Sequence, residues 1–283
     1  MRGGLAEARH RVHAVAVRGG EVVVSAGDPM LVTHFRSAAK PIQALPVVRA
    51  RPDLEGPEIA IACASHLARP EQLDAVRSLL AKADATEDDL ECGPEPTKLE
   101  HNCSGKHAGF IALCKAEGWP VEGYRLPEHP CQRMLLDEIS VAAMVDPDGI
   151  PTGVDGCGVV TFALPLARMA LSFARLASAE GAAATVVDAM RAYPELIRGP
   201  GAPDTELMRS QPGWIAKAGA EGLVCAASPD GLGVAVKVED GSARAVCSGL
   251  AAFLRRLGLE PGNLGVVTLE NSRGEPVGEL RAV

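Results

Sequence analysis

The densest run of reactive side chains in this sequence is His101-Asn-Cys-Ser-Gly-Lys-His107, which places imidazoles, a thiol, a hydroxyl, a carboxamide and an amine side by side. It opens an otherwise apolar helical pattern over 108–117, so these groups enter the protein interior together. Burying them is costly unless each finds a partner, which marks the segment as chemical machinery rather than scaffold. Gly105 permits close approach of another backbone. The Gly105-Lys106 pair invites comparison with a phosphate-binding loop. That loop needs glycine five residues before Gly105 and Ser or Thr after the lysine. Glu100 and His107 stand there instead, and nucleotide binding is excluded.

Other segments carry chemistry of their own. In Ser37-Ala-Ala-Lys40 the spacing of three puts both side chains on one helical face. A lysine of lowered pKa can take the serine proton and make a nucleophile. Pro41 requires Ser37 to stand at or next to the helix start, where exposed N–H groups and the helix dipole add positive potential; a plain N-cap serine is the alternative. Cys63-Ala-Ser65-His66 closes an apolar run and suggests a site at the end of a buried element. Asp155-Gly-Cys-Gly158 reads as a glycine-flanked turn leading into a strand at 159–162. Cys157 there could join Cys103 and a nitrogen ligand around zinc, since thiolates and nitrogen donors suit that ion; unrelated thiols would look the same. Lys217-Ala-Gly219 ends a strand, and Lys237 on a later strand is its rival for a catalytic amine.

These segments need a frame. Strands are expected at 12–17 and 21–25, joined by Arg18-Gly19-Gly20. Helices are expected to begin near Ser37, at Pro70, near Ser104, at Pro130 and at Pro165, several with proline in the first turn. Two more helices follow at 183–193 and 204–210. Strands return at 214–218, 222–227 and 232–239, then a helix at 243–257 and a last strand near 277–283. That order is not a repeating βαβ pattern, so the expectation is an α+β protein with a mainly antiparallel sheet. It forms one catalytic domain over 1–283, with a sheet lobe at about 1–36 and 212–283 and a helical lobe at about 37–211.

Composition sets the outer limits. At 283 residues and 47% hydrophobic the chain can bury a large core. A net charge of −8 lacks the basic face that a nucleic-acid partner requires. No apolar run approaches the roughly 20 residues that span a bilayer. The first residues lack a secretory pattern, so with Met1 as the native start the protein is expected to stay in the cytoplasm. None of the cysteines forms a C-x-x-C pair, which excludes zinc ribbons and thioredoxin-type motifs. Cys114, Cys131, Cys225 and Cys247 lie in apolar patterns and read as small buried hydrophobes.

Taken in order, Ser37-x-x-Lys40, Cys-Ala-Ser65-His, His-Asn-Cys103-Ser-Gly-Lys106-His and Asp-Gly-Cys157-Gly resemble the zinc-containing, Rhizobium-type L-asparaginases, over at least residues 34–219. The resemblance implies a serine β-lactamase/glutaminase-like fold, an antiparallel sheet flanked by helices. It implies Ser37 as a nucleophile activated by Lys40, and Ser65 paired with a second lysine, placed at Lys217. It implies zinc held by Cys103, Lys106 and Cys157, shaping the substrate pocket. Arg36 and Asp155, beside matched motif residues, would meet the carboxylate and ammonium of an amino-acid amide, with Asn102 supporting the pocket. The expected activity is hydrolysis of L-asparagine to L-aspartate and ammonia, the partner a small molecule and the assembly a homodimer. The sequence is shorter than the fullest members of that family, mainly after Cys157, and has Ala218 inside its K-x-G.

Rival readings keep the residues and change the use. Glutamine, a β-lactam or a peptide amide could be the substrate of the same machinery. A non-catalytic zinc- or thiol-binding protein would keep Cys103, Lys106 and Cys157 but would have no reason to keep Ser37, Lys40 and Ser65.

Overall fold

A computed structural model describes residues 1–262, 264–265 and 267–283. The strands β1 (Val12–Arg18) and β2 (Glu21–Ala26) form the expected hairpin. Arg18 pairs with Glu21 across Gly19 and Gly20, both at positive φ, the backbone that a two-residue turn of matching twist requires. β3 (Val32–His34) follows, then helices α1 (Lys40–Ala50), α2 (Gly56–Ala62), α3 (Pro70–Lys82), α4 (Ser104–Ala116) and α5 (Pro130–Ala143). Two further strands, β4 (Thr152–Val154) and β5 (Val160–Pro165), precede α6 (Leu166–Ser178), α7 (Ala182–Ala192), α8 (Pro194–Ile197) and α9 (Pro203–Ser210). The chain closes with β6 (Ile215–Gly219), β7 (Leu223–Ala227), β8 (Gly233–Val238), α10 (Val246–Arg256), β9 (Val267–Glu270) and β10 (Pro276–Leu280).

The main sheet has the order β2-β1-β8-β7-β6 and is antiparallel throughout. Its central strands are apolar on both faces because helices cover both. Gly233 faces α6 so closely that a Cβ would stand 1.9 Å from the Ala170 carbonyl oxygen, while Gly249 of α10 lies against Val12. Val12 and the partner of Gly233, Val17, are an odd number of residues apart on one strand, so α6 and α10 lie on opposite faces. The α+β architecture is the one read from the sequence. Among the described residues no helix is long and apolar enough to cross a membrane.

The structure adds elements that the sequence pattern hides. A small antiparallel sheet, β3-β5-β4, joins the expected strand after Asp155-Gly-Cys-Gly158 to two strands that were not expected; those two have three residues each, too few to show an alternation. The apolar run before Cys63 is helix α2, opened by Pro57 and by Glu55 and Glu58 in a reciprocal cap. α6 packs on the sheet and also against α5 and α7. Cys114, Cys131 and Cys225 are buried thiols as expected, whereas Cys247 is half-buried.

Candidate active site

The site is assembled by one close helix crossing. A Cβ on Gly105 of α4 would stand 2.2 Å from the carbonyl oxygen of Ile61 in α2, and one on Gly109 would meet Ala62. Only glycine lets the two backbones touch there. The crossing brings the segment before α4 against the segment after α2, so that His66 N–H donates to the Asn102 carbonyl at 3.1 Å. Ser65 N–H in turn donates to the Ile197 carbonyl at 2.8 Å. Residues 65 and 66 are thus held by the backbone from both sides.

Ser37 lies in a single 3₁₀ turn, Arg36–Ala39, directly before Lys40 opens α1. It is half-buried. The turn is pinned by Phe35 N–H to the Phe162 carbonyl and by Arg36 N–H to Thr161 Oγ1 at 3.2 Å. Arg36 takes φ +49, a conformation non-glycine residues adopt at a cost. Gly219, at the end of β6, lies against this turn, its virtual Cβ 3.1 Å from the Phe35 carbonyl oxygen. The glycine of Lys217-Ala-Gly219 therefore brings the Lys217 strand alongside Ser37.

Lys40 is fully buried. Its ammonium donates to the Ala64 carbonyl, to Ser65 Oγ at 3.0 Å and to Cys103 Sγ at 3.2 Å. Burial lowers its pKa, opposed by the nearby Cys103 thiolate. Its side-chain partner among the hydroxyls is Ser65, so the lysine one turn after Ser37 reaches across to the second serine. Lys217 is also fully buried. It meets Asp204 Oδ2 at 3.4 Å and the Ala218 carbonyl at 2.7 Å, and burial brings its pKa down to about 8 against the pull of Asp204. The charge of Lys40 bears on it and its own bears on Cys63, which places it near Lys40 and the end of α2, although its ammonium bonds Asp204 rather than Ser65.

The predicted thiol cluster also comes together. Lys106 Nζ donates to Cys157 Sγ at 3.0 Å, and the Cys157 thiol is hydrogen-bonded to Cys103. That bond, with the charges of Lys40 and Lys106, holds Cys103 well below the ordinary thiol pKa; Cys157 is the protonated member, pushed up by the same bond. Burial alone would lower Lys106, but the sulfurs of Cys157 and Cys103 outweigh it and keep the amine charged. Lys106 also lies over the Phe110 ring, 5.8 Å from its centroid. Asn102 Oδ1 is 3.0 Å from Cys103 Sγ. Asp155 and Cys157 share a turn between β4 and β5, closed by Gly158 N–H to the Asp155 carbonyl, with Gly158 at φ +86. Arg36 Nε donates to Asp155 Oδ1 at 2.8 Å, tying that turn to the one that carries Ser37.

The histidines are supports. Ala68 N–H donates to His66 Nδ1 and Ser104 donates to the Leu99 carbonyl, so His66 Nε2 carries the proton and donates to Ser104 Oγ at 2.8 Å. Burial brings its pKa to about 4, neutral at ordinary pH. His107 meets the Tyr124 hydroxyl at 2.6 Å. Among the described residues no trio of His, Cys, Asp and Glu could hold a metal.

The profile of L-asparaginase II matches residues 1–282. The chain belongs to the L-asparaginase II family. Membership of that family suggests an amidohydrolase, which acts on a small molecule. A search of curated protein sequences found no match. Among solved structures, this asparaginase-family chain is similar to the octameric penicillin-binding protein homologue from Pyrococcus abyssi, at 12% identity over 89% of this chain and 74% of that one, with a TM-score of 0.36. It is also similar to a mutant of simvastatin synthase from Aspergillus terreus, at 10% identity over 80% and 86% of the two chains, with a TM-score of 0.38.

Two residues that sequence reading passed over belong to this site. Asp204, fully buried, accepts from both Lys217 Nζ and the Ala218 N–H. Arg198 reaches the Ser65 carbonyl at 3.4 Å. An acid in the first turn of a helix gave Asp204 an ordinary explanation, and nothing in the local sequence sets Arg198 apart.

Proposed function

We propose that this chain hydrolyses the side-chain amide of L-asparagine to L-aspartate and ammonia through a serine-linked acyl-enzyme. The observation that carries the reading is the meeting, in one buried place, of Ser65, two lysines lacking their full ordinary basicity, and the turn that presents Ser37. Ser37 Oγ attacks the amide carbonyl and Lys40 takes its proton, a role open to an amine whose charged form burial disfavours. Lys217, with a pKa of about 8, holds a proton at neutral pH and supplies it to the departing ammonia, while the Ser65 hydroxyl, bonded to Lys40, keeps that amine in position. Water then cleaves the aspartyl ester by the same groups in reverse. Asp155 faces the substrate ammonium, with Arg36 and Asn102 completing that rim.

The donor set of the thiol cluster fits zinc: two sulfurs within a hydrogen bond of each other, an amine beside one of them, all buried. Cys103, Lys106 and Cys157 would hold the ion, which when bound would supply positive charge and a fixed wall next to the serines. Lysine must lose its proton to ligate, so retention would weaken as pH falls. Metal content of purified wild type against Cys157→Ser tests this apart from activity. A homodimer in the cytoplasm completes the reading, checked by light scattering and by cell fractionation.

The decisive experiment measures ammonia release from asparagine and glutamine beside nitrocefin turnover. Asparagine turnover that disappears in Ser37→Ala is expected. No ammonia from asparagine in metal-loaded protein would end the substrate assignment.

A further inference from the structure

Arg198 is a half-buried guanidinium with a single side-chain hydrogen bond, to the Ser65 carbonyl at 3.4 Å. Among the described residues no carboxylate lies within ion-pair distance of it. Its neighbours make this costly: the charges of Arg198 and Lys40 both bear on Lys217, and Asp204 is the one acid bonded within that group, already shared between Lys217 and the Ala218 N–H. A partly desolvated cation left among cations calls for an anion that the protein does not supply.

The position of Arg198 is built rather than accidental. The fully buried Gln72 donates to the Arg198 carbonyl at 2.7 Å and to the Glu195 carbonyl at 2.9 Å. Its other end accepts from Leu67 N–H at 2.9 Å and Arg69 N–H at 3.1 Å. One buried carboxamide thus locks the segment carrying Arg198 to the segment leaving Ser65. Arg36, by contrast, is already matched: its Nε is bonded to Asp155, and the pair is neutral as a unit.

We infer that Arg198 binds the free carboxylate of the substrate, and that Arg36 serves to hold Asp155. This rests on the proposed amide hydrolysis and sharpens its substrate class to amides that carry a free carboxylate. A guanidinium fork suits that group because it can bond both oxygens, and its hold on the Ser65 carbonyl sets the distance from carboxylate to the reacting serines.

The test compares L-asparagine with L-asparagine amide, in which the carboxylate is replaced by a carboxamide, on wild type, Arg198→Gln and Arg198→Lys. In Arg198→Gln the KM for asparagine is expected to rise about tenfold to a hundredfold, with kcat changed less than about threefold. The KM for the diamide should stay where it was, so that discrimination collapses; Arg198→Lys should recover part of it. An unchanged KM for asparagine, or an equal loss of kcat on both substrates, would show that Arg198 only steadies Ser65 and would overturn the inference. Should Arg198→Gln not fold, the same split is read in Arg198→Lys. If wild type releases no ammonia from asparagine, the proposed activity falls while calorimetry with L-aspartate still decides the site. Binding by wild type that weakens in the variant sustains the carboxylate contact, and equal or absent binding overturns it.

Discussion

Two lysines stand in the main sheet, Lys217 on β6 and Lys237 on β8. The pairing register puts both on the face that α6 covers: Lys217 lies opposite Cys225, which lies opposite Ala235, two residues from Lys237. Burial lowers the pKa of each. Their surroundings differ. Lys217 is wholly enclosed, bonded to Asp204, and within electrostatic reach of Lys40 and Arg198. Lys237 donates to the Val238 carbonyl and lies among Glu221, Asp240 and Glu239, acids that stabilise its charge. Burial alone therefore does not fix a lysine's electrostatic surroundings. The strand edge that meets the Ser37 turn and α9 brings Lys217 into the candidate site, and a strand two positions inward on the same face leaves Lys237 among acids.

The sharpest way to break this contrast is to remove the groups one at a time. Ser37→Ala is expected to reduce amide hydrolysis at least about a thousandfold while leaving the melting temperature nearly unchanged, because the hydroxyl is half-buried at a turn. Full activity in Ser37→Ala together with loss in Ser65→Ala would transfer the attack to Ser65, the hydroxyl to which Lys40 is bonded. Next in size, Lys217→Met should cost about 10²- to 10⁴-fold in kcat, and Lys237→Met less than about threefold. Comparable losses in the two variants would show that the comparison of the two strands has no catalytic content.

A structural prediction of smaller effect addresses how the site is held. Gly105→Ala forces a methyl group into the Ile61 carbonyl, so α2 and α4 must separate. A cost of about 1–3 kcal/mol in unfolding free energy is expected, accompanied by weaker activity as Ser65 and Cys103 move apart. Gly109→Ala, whose added carbon would meet side chains alone, Ala62 at 3.3 Å and Val47 at 3.7 Å, should cost less. Denaturant titration of both variants checks the order, and a reversed order would sink the crossing argument.

What could be read in the sequence follows from where the information lies. His101–His107, Ser37 with Lys40, and Asp155 with Cys157 were visible because each is a local pattern whose residue types are expensive to bury without a purpose. The five strands of the main sheet were visible through their apolar runs and glycine turns. β3 and β4 were not, since strands of three residues carry no periodicity, and α2 was hidden because a seven-residue apolar helix looks like a buried strand. The preference for Lys217 over Lys237 rested on the Lys217-Ala-Gly219 pattern; what sets Lys217 apart in space is Asp204, thirteen residues away along the chain, which no local pattern connects to it. Arg198 was hidden for the same reason: its meaning depends on the acids that are absent around it in space. The crossing of Lys40 to Ser65 belongs to this class too, because the spacing in sequence pointed to Ser37.

The finest test of the contrast is the pH dependence. Lys217, brought from the ordinary 10.5 to about 8, holds its proton below that pH and loses it above. As proton donor to ammonia it gives a rate that is flat below about pH 8 and falls above it, by up to tenfold per pH unit. Asp204 raises the lysine against the lowering by burial, so Asp204→Asn should move this limb to lower pH and reduce the rate at neutral pH; Glu239→Gln, beside Lys237, should leave it in place. The same lysine links folding to pH with a definite sign. Between about pH 8 and 10.5 the unfolded chain binds the proton that the folded chain has released, so stability should rise with pH across that window from this group, an increment that Lys217→Met removes. A limb that stays fixed in Asp204→Asn, or moves upward, would mean that the titrating group is not Lys217 and that its burial beside Asp204 serves the fold alone.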